Sequence, residues 1–511
     1  MYISPRHACL LSRVTSDAIV TVTVKFRNKS LLFEYFVILR QYIWEAPRSL
    51  ESFRKTAIVI LTYNNFEYSK GCVESIRKYT PDGTYEIIVV DNNSTDGTRD
   101  WLKAQADIKL RLNDENVGFP KGCNIGIGMA DPECDIMLLN NDTVVTPRWL
   151  DNLRTCLYSD RSIGAAGAVC NHHENLQGAD FRYPDSDLDE MQRLADKNNI
   201  SDNEKWEEKI FLIGFCILIK REVLNKIGPL DEKYSPGYVE DNDLSLRILT
   251  AGYKLMLCHD CFIHHYLGSG FRKDLSRLFP ILYANRETFR KRWGFDTWRF
   301  DQIKQESLRL LTESDKYKPM NILELGCGIG LTLLKCKYSY PNVALYGLEP
   351  DASMAAIAKK VAAISAKPPG EFPLDFPEDY FDYILVGNHL ESVENPDALL
   401  TGLKKYLKKD GWVIVQVQNI MHYSVLGNLL NGKWRYASQD ILSRSNRAFF
   451  TLDDILKMTS DCGYKNQFTF HWFSVPSEED KAFVQKLCQT GEEKRDYVFN
   501  TYMYAVRFQK Q

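Results

Sequence analysis

The sequence lacks an apolar run long enough to span a membrane as a helix, which takes about 18 residues. It also lacks a marked excess of charge of either sign. Its 64 Lys and Arg residues stand against 67 Asp and Glu residues and leave a formal net charge of -3. Such a balance gives no general attraction to nucleic acid or anionic lipid. We therefore expect no nucleic-acid partner, and an anionic ligand must be recognised by local groups.

The 13 cysteines do not form the even-numbered framework of a small secreted domain, which favours a reducing compartment and a role as core residues. Cys258 and Cys261 are followed by His264 and His265, a pattern that could hold zinc. They directly follow the strand-like residues 254–257, however, and lack the spacing of a closed structural site. Since no sustained apolar segment precedes a cleavage site near the N-terminus, we expect a cytoplasmic protein.

A chain of 511 residues is too long for one core, and a norm of about 150 residues per domain suggests two or three domains. Changes in pattern predict an N-terminal extension over residues 1–54, a first α/β domain over 55–275, a helical linker over 276–316 and a second α/β domain over 317–511. In the extension, residues 31–43 have helical spacing. This helix either packs on the next domain, which we favour, or lies on a membrane surface.

Three short apolar runs in the first α/β domain end in polar residues. They are followed by Thr62-Tyr63-Asn64, by Asp91 and by Asn140-Asn141-Asp142. Alternation with helical segments predicts βαβ units and a parallel sheet, whose strand ends form a ligand crevice. The last stretch alone is typical of a surface turn, but in a crevice its carboxylate could hold a metal ion and, through it, phosphates.

A glycine-rich stretch, residues 116–126, lies between the second and third of these runs. Its glycines would let backbone amides approach a ligand closely, and Lys121 could bring positive charge to a diphosphate. Considered alone, the stretch is more typical of an ordinary turn before a helix.

In this order and spacing, residues 56–271 resemble a family 2 glycosyltransferase with the GT-A fold, in particular its rhamnosyltransferase-like branch. The similarity extends to later positions, namely Gly214, Arg221, Asp231, residues 240–243 and Arg247. It implies a metal-dependent, inverting transfer of a sugar from a nucleotide sugar to a glycan or lipid-linked acceptor in polysaccharide biosynthesis. Residues 271–311 are rich in Arg, Lys and aromatic residues, which could associate peripherally with the inner face of the membrane or with an anionic lipid-linked acceptor, although such residues more often form a solvated helix face.

The resemblance assigns roles to these polar residues. Asp241, with Glu240 beside it, would be the base that takes the proton of the acceptor hydroxyl. Asp91 would contact the nucleotide base. The residues expected to bind the donor are Thr62, Tyr63, Asn64, Asp91, Asn116, Gly118, Lys121, Asn124, Asn140 and Asn141. For Glu240 and Asp241 a structural role is also open, because acids at the start of a helix favour its dipole.

Asn140 departs from the family's general DxD pattern, since it replaces the first acid and leaves Asp142 as the single carboxylate. A Mg²⁺ or Mn²⁺ ion that neutralises the departing diphosphate then needs other ligands, which would be the diphosphate itself and His264 or His265. We therefore expect weak metal binding without the nucleotide. Either histidine could instead be a core or surface residue with satisfied nitrogens.

A second strand, turn and helix pattern begins at residue 321. Gly326, Gly328 and Gly330 follow an apolar run, and Glu349 ends the next run. Such a turn lets the backbone approach an adenosyl ligand while the carboxylate takes the ribose hydroxyls.

Residues 318–470 resemble class I S-adenosylmethionine-dependent methyltransferases with a Rossmann-like fold. The resemblance implies that the cofactor is bound by Glu324, Gly326, Gly328, Gly330 and Glu349, and that the domain methylates the glycan. Ser392 and Asn446 stand where one branch often has histidines, and His389 or His422 could supply a base instead. Three interpretations stay open: two active domains, a glycosyltransferase with a silent cofactor-binding or docking domain, or a non-catalytic scaffold.

Overall fold

Buried strands form where the sequence predicts them in the first α/β domain. The three apolar runs lie in the strands Thr56–Thr62, Tyr85–Asp91 and Asp135–Asn140. Their side chains alternate between two apolar clusters, with Ile58 in one and Val59 in the other. Helices therefore cover both faces of the sheet, as continuous apolar strands require.

The computed structural model describes the chain in six stretches, residues 53–172, 177–266, 275–301, 303–436, 441–490 and 495–511. The predicted helix over residues 31–43 lies outside them. Residues 53–511 form one compact unit that holds two large sheets. In the stretches described, no helix combines the length and the apolar character needed to cross a membrane.

The first sheet has eight strands in the order β3-β2-β1-β4-β8-β6-β9-β7, and β5 and β10 form a separate pair. The strands are β1 (Thr56–Thr62), β2 (Tyr85–Asp91), β3 (Ile108–Leu112), β4 (Asp135–Asn140), β5 (Thr143–Val144), β6 (Ile163–Val169), β7 (Trp206–Lys209), β8 (Cys216–Ile219), β9 (Lys254–Phe262) and β10 (His264–His265). The helices are α1 (Phe66–Tyr79), α2 (Thr98–Lys103), α3 (Phe119–Met129), α4 (Trp149–Ser159), α5 (Leu188–Asn198), α6 (Arg221–Ile227), α7 (Glu240–Thr250) and α8 (Leu275–Trp293).

The prediction of a wholly parallel sheet is wrong for part of this sheet. Strands β3, β2, β1 and β4 are parallel, but β8 runs antiparallel to both β4 and β6, and β7 runs antiparallel to β9. The buried run Cys216–Ile219 has the same apolar pattern in either direction, so its sequence carries no signal of orientation. The parallel half still brings the polar ends of β1, β2 and β4 to one edge, with Thr62 paired to Asp91.

The second sheet has seven strands in the order β13-β12-β11-β14-β15-β17-β16, with β17 antiparallel to both neighbours. Its strands are β11 (Met320–Leu325), β12 (Val343–Leu348), β13 (Ala363–Ser365), β14 (Phe381–Gly387), β15 (Leu407–Gln418), β16 (Tyr464–Phe473) and β17 (Thr501–Lys510). Its helices are α9 (Gln305–Arg309), α10 (Leu331–Ser339), α11 (Ala352–Ala358), α12 (Pro396–Leu403), α13 (Tyr423–Leu430), α14 (Leu452–Asp461), α15 (Glu478–Thr490) and α16 (Asp496–Asn500).

One apolar cluster contains residues from both α/β domains. We call it the shared cluster. From the first domain and α8 it includes Tyr234, Leu246, Leu249 and Phe289. From the second domain it includes Ile329, Leu331, Leu334, Met354 and Ile357. The helix that follows the glycine turn of the second domain thus packs against the first domain.

Two glycines of α3 provide a matched test of its packing on β1. A Cβ at Gly126 would lie 2.4 Å from Val59 Cγ1, whereas a Cβ at Gly128 would meet nothing within 4 Å. We expect Gly126→Ala to lower stability by about 1–3 kcal/mol through overpacking. Gly128→Ala should raise it by roughly 0.5–1 kcal/mol, because alanine favours the helix. Thermal unfolding of the two variants checks this, and equal midpoints would contradict the close packing of α3.

Candidate functional site

The ends of β1 and β4 are joined through polar side chains. The Thr62 hydroxyl lies 2.7 Å from the Ser69 hydroxyl in α1, and the Asn141 amide donates to Ser69 Oγ at 2.9 Å. Thr62 and Ser69 are buried, so these bonds fix the loop after β4 against the start of α1. Tyr63 is half exposed beside them, at 49%.

Asn64 joins the loops that follow β1 and β2. Its φ of 56° lies in the left-handed region, which Asn adopts more readily than most residues. Its backbone N–H donates to Ser94 Oγ at 2.7 Å, and its side-chain oxygen accepts from the Thr95 N–H at 2.8 Å. Asn64 therefore holds two strand ends together at the predicted crevice.

Asp91 is fully buried at the end of β2. Its Oδ2 accepts from the backbone N–H groups of Asn93 and Ser94, each at 3.1 Å, and lies 3.3 Å from Arg99 Nε. Among the residues described, Oδ1 has no hydrogen-bond partner. A buried acceptor left open in this way suits a ligand that brings a donor.

The glycine-rich stretch packs its start against the loop that precedes α7. Asn116 Oδ1 accepts from the Gly118 N–H at 3.0 Å, and the Phe119 N–H donates to the Pro236 carbonyl at 2.8 Å. Gly118 has a φ of 83°, and a Cβ there would lie 2.3 Å from Ser235 Oγ. This position therefore requires glycine for both its backbone conformation and its close approach.

Asn124 and Lys121 of α3 have different surroundings. Asn124 exchanges two hydrogen bonds with the backbone of Leu230, at 2.9 and 3.0 Å. Its amide is therefore engaged in fastening α3 to the chain before residue 231. Lys121 is exposed, where it could meet an anionic ligand.

The ladder of β5 and β10 places His265 opposite the end of β4. His265 Nε2 lies 3.1 Å from Asp142 Oδ1 and 3.5 Å from the Asn140 side-chain nitrogen. Asn140 Oδ1 is buried and has no hydrogen-bond partner within the described stretches. The Asp142 carboxylate and the His265 imidazole meet here beside the Asn140 amide, and oxygen ligands such as carboxylate and amide fit Mg²⁺ or Mn²⁺.

His264 has a different environment from its neighbour, because successive side chains of a strand point to opposite sides. Its Nδ1 lies 2.6 Å from the Tyr183 hydroxyl, and burial lowers the pKa of His264 to about 4. Of the two predicted histidines, His265 is the one beside Asp142.

Cys258 and Cys261 lie in β9 within an apolar cluster of the first domain. Burial raises the pKa of both thiols well above the ordinary value, which disfavours the thiolate that zinc requires. Throughout the described part of the chain, no group of three or more His, Cys, Asp or Glu side chains is placed to hold a metal ion. An ion beside Asp142 would therefore need ligands from outside the protein.

Glu240 and Asp241 open α7 directly after Val239, whose φ is 78°. Asp241 Oδ2 accepts from the Gly214 N–H at 2.9 Å, and Oδ1 accepts from the Asn242 N–H at 2.8 Å. Burial raises the pKa of Asp241, although these two bonds lower it. The pKa of Glu240 lies well above its usual range, because burial and the charge of Asp241 both disfavour ionisation.

The dipeptide Gly214–Phe215 connects these acids to the residues at the end of β4. Gly214 donates to Asp241, and the Phe215 carbonyl accepts from the Asn140 N–H at 2.9 Å. The Phe215 ring stacks on the imidazole of His265 with centroids 5.1 Å apart. Asp241 and His265 therefore belong to one site, separated by two residues of backbone.

In the second sheet, the glycine turn after β11 meets the acid at the end of β12. The Gly328 N–H donates to Glu349 Oε2 at 2.8 Å, and the Asp351 N–H donates to Oε1 at 2.9 Å. Gly326, Gly328 and Gly330 all have positive φ, so the turn depends on glycine. We call this turn, with Glu324 and Glu349, the cradle.

Lys304 and His389 lie over the cradle. Lys304 Nζ is 2.8 Å from Glu324 Oε1, and a Cβ at Gly326 would be 1.7 Å from His389 Nε2. Glu324 Oε2 is buried without a hydrogen-bond partner among the described residues. Burial raises the pKa of Glu324, while Lys304 lowers it. The sequence named His389 only as a candidate base and gave no sign of Lys304, which lies far from the turn along the chain.

The segments with altered histidine positions are neighbours. The Glu391 carbonyl accepts from the Arg447 N–H at 2.7 Å, and the Asn446 amide lies 3.4 Å from Gln418 Oε1. Burial raises the pKa of Glu391 to about 8. Both ring nitrogens of His422 lie 2.8 Å from serine hydroxyls, so this residue is held in place by the fold.

Comparisons with known proteins match two parts of the chain to two families. Residues 57–228 match the family model for glycosyl transferase family 2, and residues 295–467 match a model for a methyltransferase domain. The glycosyltransferase AglE of Haloferax volcanii is 24% identical over 40% of this chain and 64% of its own length. The O-antigen chain rhamnosyltransferase WbaN of Salmonella anatum is 21% identical over 50% of this chain and 83% of its own. The chain thus spans less than two thirds of the length of AglE.

A solved structure aligns with part of this chain. It is a SAM-dependent methyltransferase of Thermotoga maritima, 19% identical, which aligns over 47% of this chain and 98% of its own with a TM-score of 0.30. The methyltransferase family model begins at residue 295 and so reaches into the predicted linker.

The raised pKa of Glu391 makes stability depend on pH. The folded protein keeps this proton up to about pH 8, whereas the unfolded chain releases it near the ordinary value of 4.5, so stability falls as pH rises between them. Glu391→Gln removes this loss and should gain more than ~1 kcal/mol at pH 8 but little at pH 4. Chemical denaturation of the wild type and of Glu391→Gln from pH 4 to pH 8 measures this difference in stability. A difference that does not vary with pH would contradict the raised pKa of Glu391.

Proposed function

We propose a reaction for this enzyme, which joins a GT-A-like glycosyltransferase family 2 domain to a Rossmann-like methyltransferase domain. The first domain moves a sugar from a nucleotide sugar to a glycan or lipid-linked acceptor, with inversion at the anomeric carbon. The observation that carries this proposal is the Gly214–Phe215 link, which holds Asp241 beside the Asn140 and His265 region. In a single displacement at the anomeric carbon, the base and the cation act on the same reacting sugar, so both must lie in one site.

Asp241 is the proposed base. Its pKa is raised by burial, which suits a carboxylate that must accept the proton of the acceptor hydroxyl as that oxygen attacks. The Gly214 N–H holds the carboxylate in place, and glycine leaves room for it. Burial and the charge of Asp241 raise the pKa of Glu240, which favours a single negative charge on this pair of acids.

The donor would lie along the ends of β1, β2 and β4. The open Oδ1 of Asp91 suits an N–H of a nucleotide base. A Mg²⁺ or Mn²⁺ ion, when bound, neutralises charge on the departing diphosphate. Asp142, His265 and Asn140 Oδ1 would hold it together with the diphosphate, and the small number of protein ligands supports weak metal binding in its absence.

The second domain is proposed to bind S-adenosylmethionine in the cradle and to methylate the glycan. The buried, unpartnered Oε2 of Glu324 suits a cationic ligand, and Glu349 stands at the turn to meet the ribose. His389, whose pKa burial lowers to about 4, is neutral and lies next to the turn. A domain that binds the cofactor without turnover is the alternative, since His422 has both nitrogens engaged.

We propose that the enzyme works in the cytoplasm, at the inner face of the membrane where a lipid-linked acceptor is presented. Phe279 and Tyr283, one turn apart on α8, are 61% and 77% exposed. The exposed side chain of Lys291 lies on the same helix. Aromatic and basic groups together suit the surface of an anionic membrane.

Asp241→Asn tests the glycosyltransferase. The variant keeps the shape of the side chain but cannot accept the proton, so turnover should fall by a factor on the order of 10²–10⁴ while nucleotide affinity is unchanged. The assay is metal-dependent hydrolysis or transfer with a panel of thymidine, uridine and guanosine diphosphate sugars. Near-normal turnover of Asp241→Asn would remove this residue from the mechanism. If the wild type reacts with none of these sugars, the proposed glycosyl transfer is contradicted.

Isothermal titration with S-adenosylmethionine tests the second domain. We expect saturable binding, weakened roughly tenfold in Glu349→Gln, because a charge-assisted hydrogen bond contributes about 1.5–3 kcal/mol. Glu378→Gln is the control, as Glu378 is exposed and pairs with Lys405. No heat at millimolar cofactor would rule out a methyltransferase that acts on the glycan.

A further inference from the structure

The loop before the proposed base is held by one amide from α8. Asn285 Nδ2 lies 2.7 Å from the Tyr234 carbonyl, 2.8 Å from that of Gly237 and 3.1 Å from that of Tyr238. Asn285 is only 4% exposed. Because an amide nitrogen carries two N–H groups, the three carbonyls share them, and Asn285 holds the loop at three points of its backbone.

This loop has a backbone that needs such support. Tyr238 and Val239 have φ of 72° and 78°, in the left-handed region, and Glu240 and Asp241 follow directly. A β-branched residue such as valine is strained there, at a cost of about 1–3 kcal/mol. Strained residues persist only where the surroundings fix them, and Asn285 is part of those surroundings.

The C-terminal end of α8 is bonded to α7. Trp293 Nε1 donates to Asp243 Oδ1 at 3.0 Å, and Arg292 lies 3.1 Å from the same oxygen. Arg247 Nε donates to Asp243 Oδ2 at 2.8 Å. Because Asp243 is fully buried and two residues after Asp241, these bonds fix the first turn of α7 to α8.

The residue after the C-terminal end of α8 packs against α11, the helix that follows the cradle in the methyltransferase domain. Gly294, with a φ of 81°, lies so close to α11 that a Cβ there would be 2.2 Å from Ser353 Oγ and 2.8 Å from its Cβ. Ser353 is two residues after Asp351, whose N–H is bonded to Glu349 of the cradle. The chain of contacts therefore runs from Asp241 through α7, α8 and α11 to Glu349.

Two further sets of contacts hold the domains together, and the first of them involves α8. Phe289 of α8 lies in the shared cluster with residues of α10 and α11. Between α10 and β7, Lys335 Nζ lies 2.9 Å from the buried carboxylate of Glu207, and Lys337 pairs with Glu208. Docking of the methyltransferase domain thus covers the apolar side of α8 that carries Phe289.

We propose that Asn285 is a positioning residue for glycosyl transfer, and that the docked methyltransferase domain keeps α8 in the place from which Asn285 acts. The inference rests on the proposed role of Asp241. Donor contacts come from β1, β2 and β4, whereas α8 acts on the loop and helix that carry the base. Loss of this support misplaces the base while the donor still binds.

Asn285→Ala tests the positioning role, with Arg290→Ala as the control on the same helix, because Arg290 is exposed and bonds to Glu287. In the donor panel with Mn²⁺, kcat should fall on the order of 10- to 100-fold with KM for the donor unchanged. The acidic limb of the pH profile should move to lower pH, since water entering beside Asp241 reduces the effect of burial on its pKa. Hydrogen exchange of residues 234–243 should accelerate.

Gly294→Ala tests the contribution of the docked domain, with Gly252→Ala as the control. Both glycines have positive φ, but a Cβ at Gly252 would meet nothing within 4 Å. We expect Gly294→Ala alone to accelerate exchange at residues 234–243, to lower kcat and to weaken binding of S-adenosylmethionine. Identical exchange and kcat in the two variants would overturn the role of the docked domain.

These outcomes separate the inference from the proposed reaction. If Asp241→Asn is inactive and Asn285→Ala behaves like Arg290→Ala in kcat, pH profile and exchange, the positioning role is wrong while the reaction stands. If Asp241→Asn stays active, the reaction fails. Exchange at residues 234–243 still decides whether Asn285 holds the loop.

Discussion

The cost of burying carboxylates at the start of one helix organises this protein. Three acids open α7, and each is accommodated differently. Asp243 receives donors from Trp293 and Arg247 and fixes α8. Asp241 receives two backbone donors and still has a raised pKa, and Glu240 has a buried oxygen without a partner among the residues described. The first arrangement holds two helices together, and the other two raise the proton affinity of the acids at the proposed site.

The sequence was sufficient for the elements whose signals are local. Short apolar runs ending at Thr62, Asp91 and Asn140 predicted three strand ends at one edge, and the structure has them there. Strand β3 was not predicted, because Ile108–Leu112 alternates apolar and charged residues over only five positions. The orientation of β8 could not be predicted, because a buried strand has the same apolar pattern whether it pairs in parallel or antiparallel.

The sequence could not predict those features of the site that depend on contacts between distant parts of the chain. Spacing could not choose between His264 and His265, because the choice depends on how β10 pairs with β5. Asn124 resembled a ligand-binding residue but bonds to the backbone of Leu230. Lys304 and Asn285 had no signal at all, because their partners Glu324 and Tyr234 lie 20 and 51 positions away in the sequence.

The shared cluster has a consequence for how the chain folds as it is made. Its residues from the first domain and α8 leave the ribosome before those of α10 and α11. At ~5–20 residues per second, that apolar face stays uncovered for several seconds after the first sheet is complete. During synthesis the first domain is thus an intermediate with exposed apolar surface, which a chaperone must protect or the next domain must cover. Separating the two coding segments would make that exposure permanent.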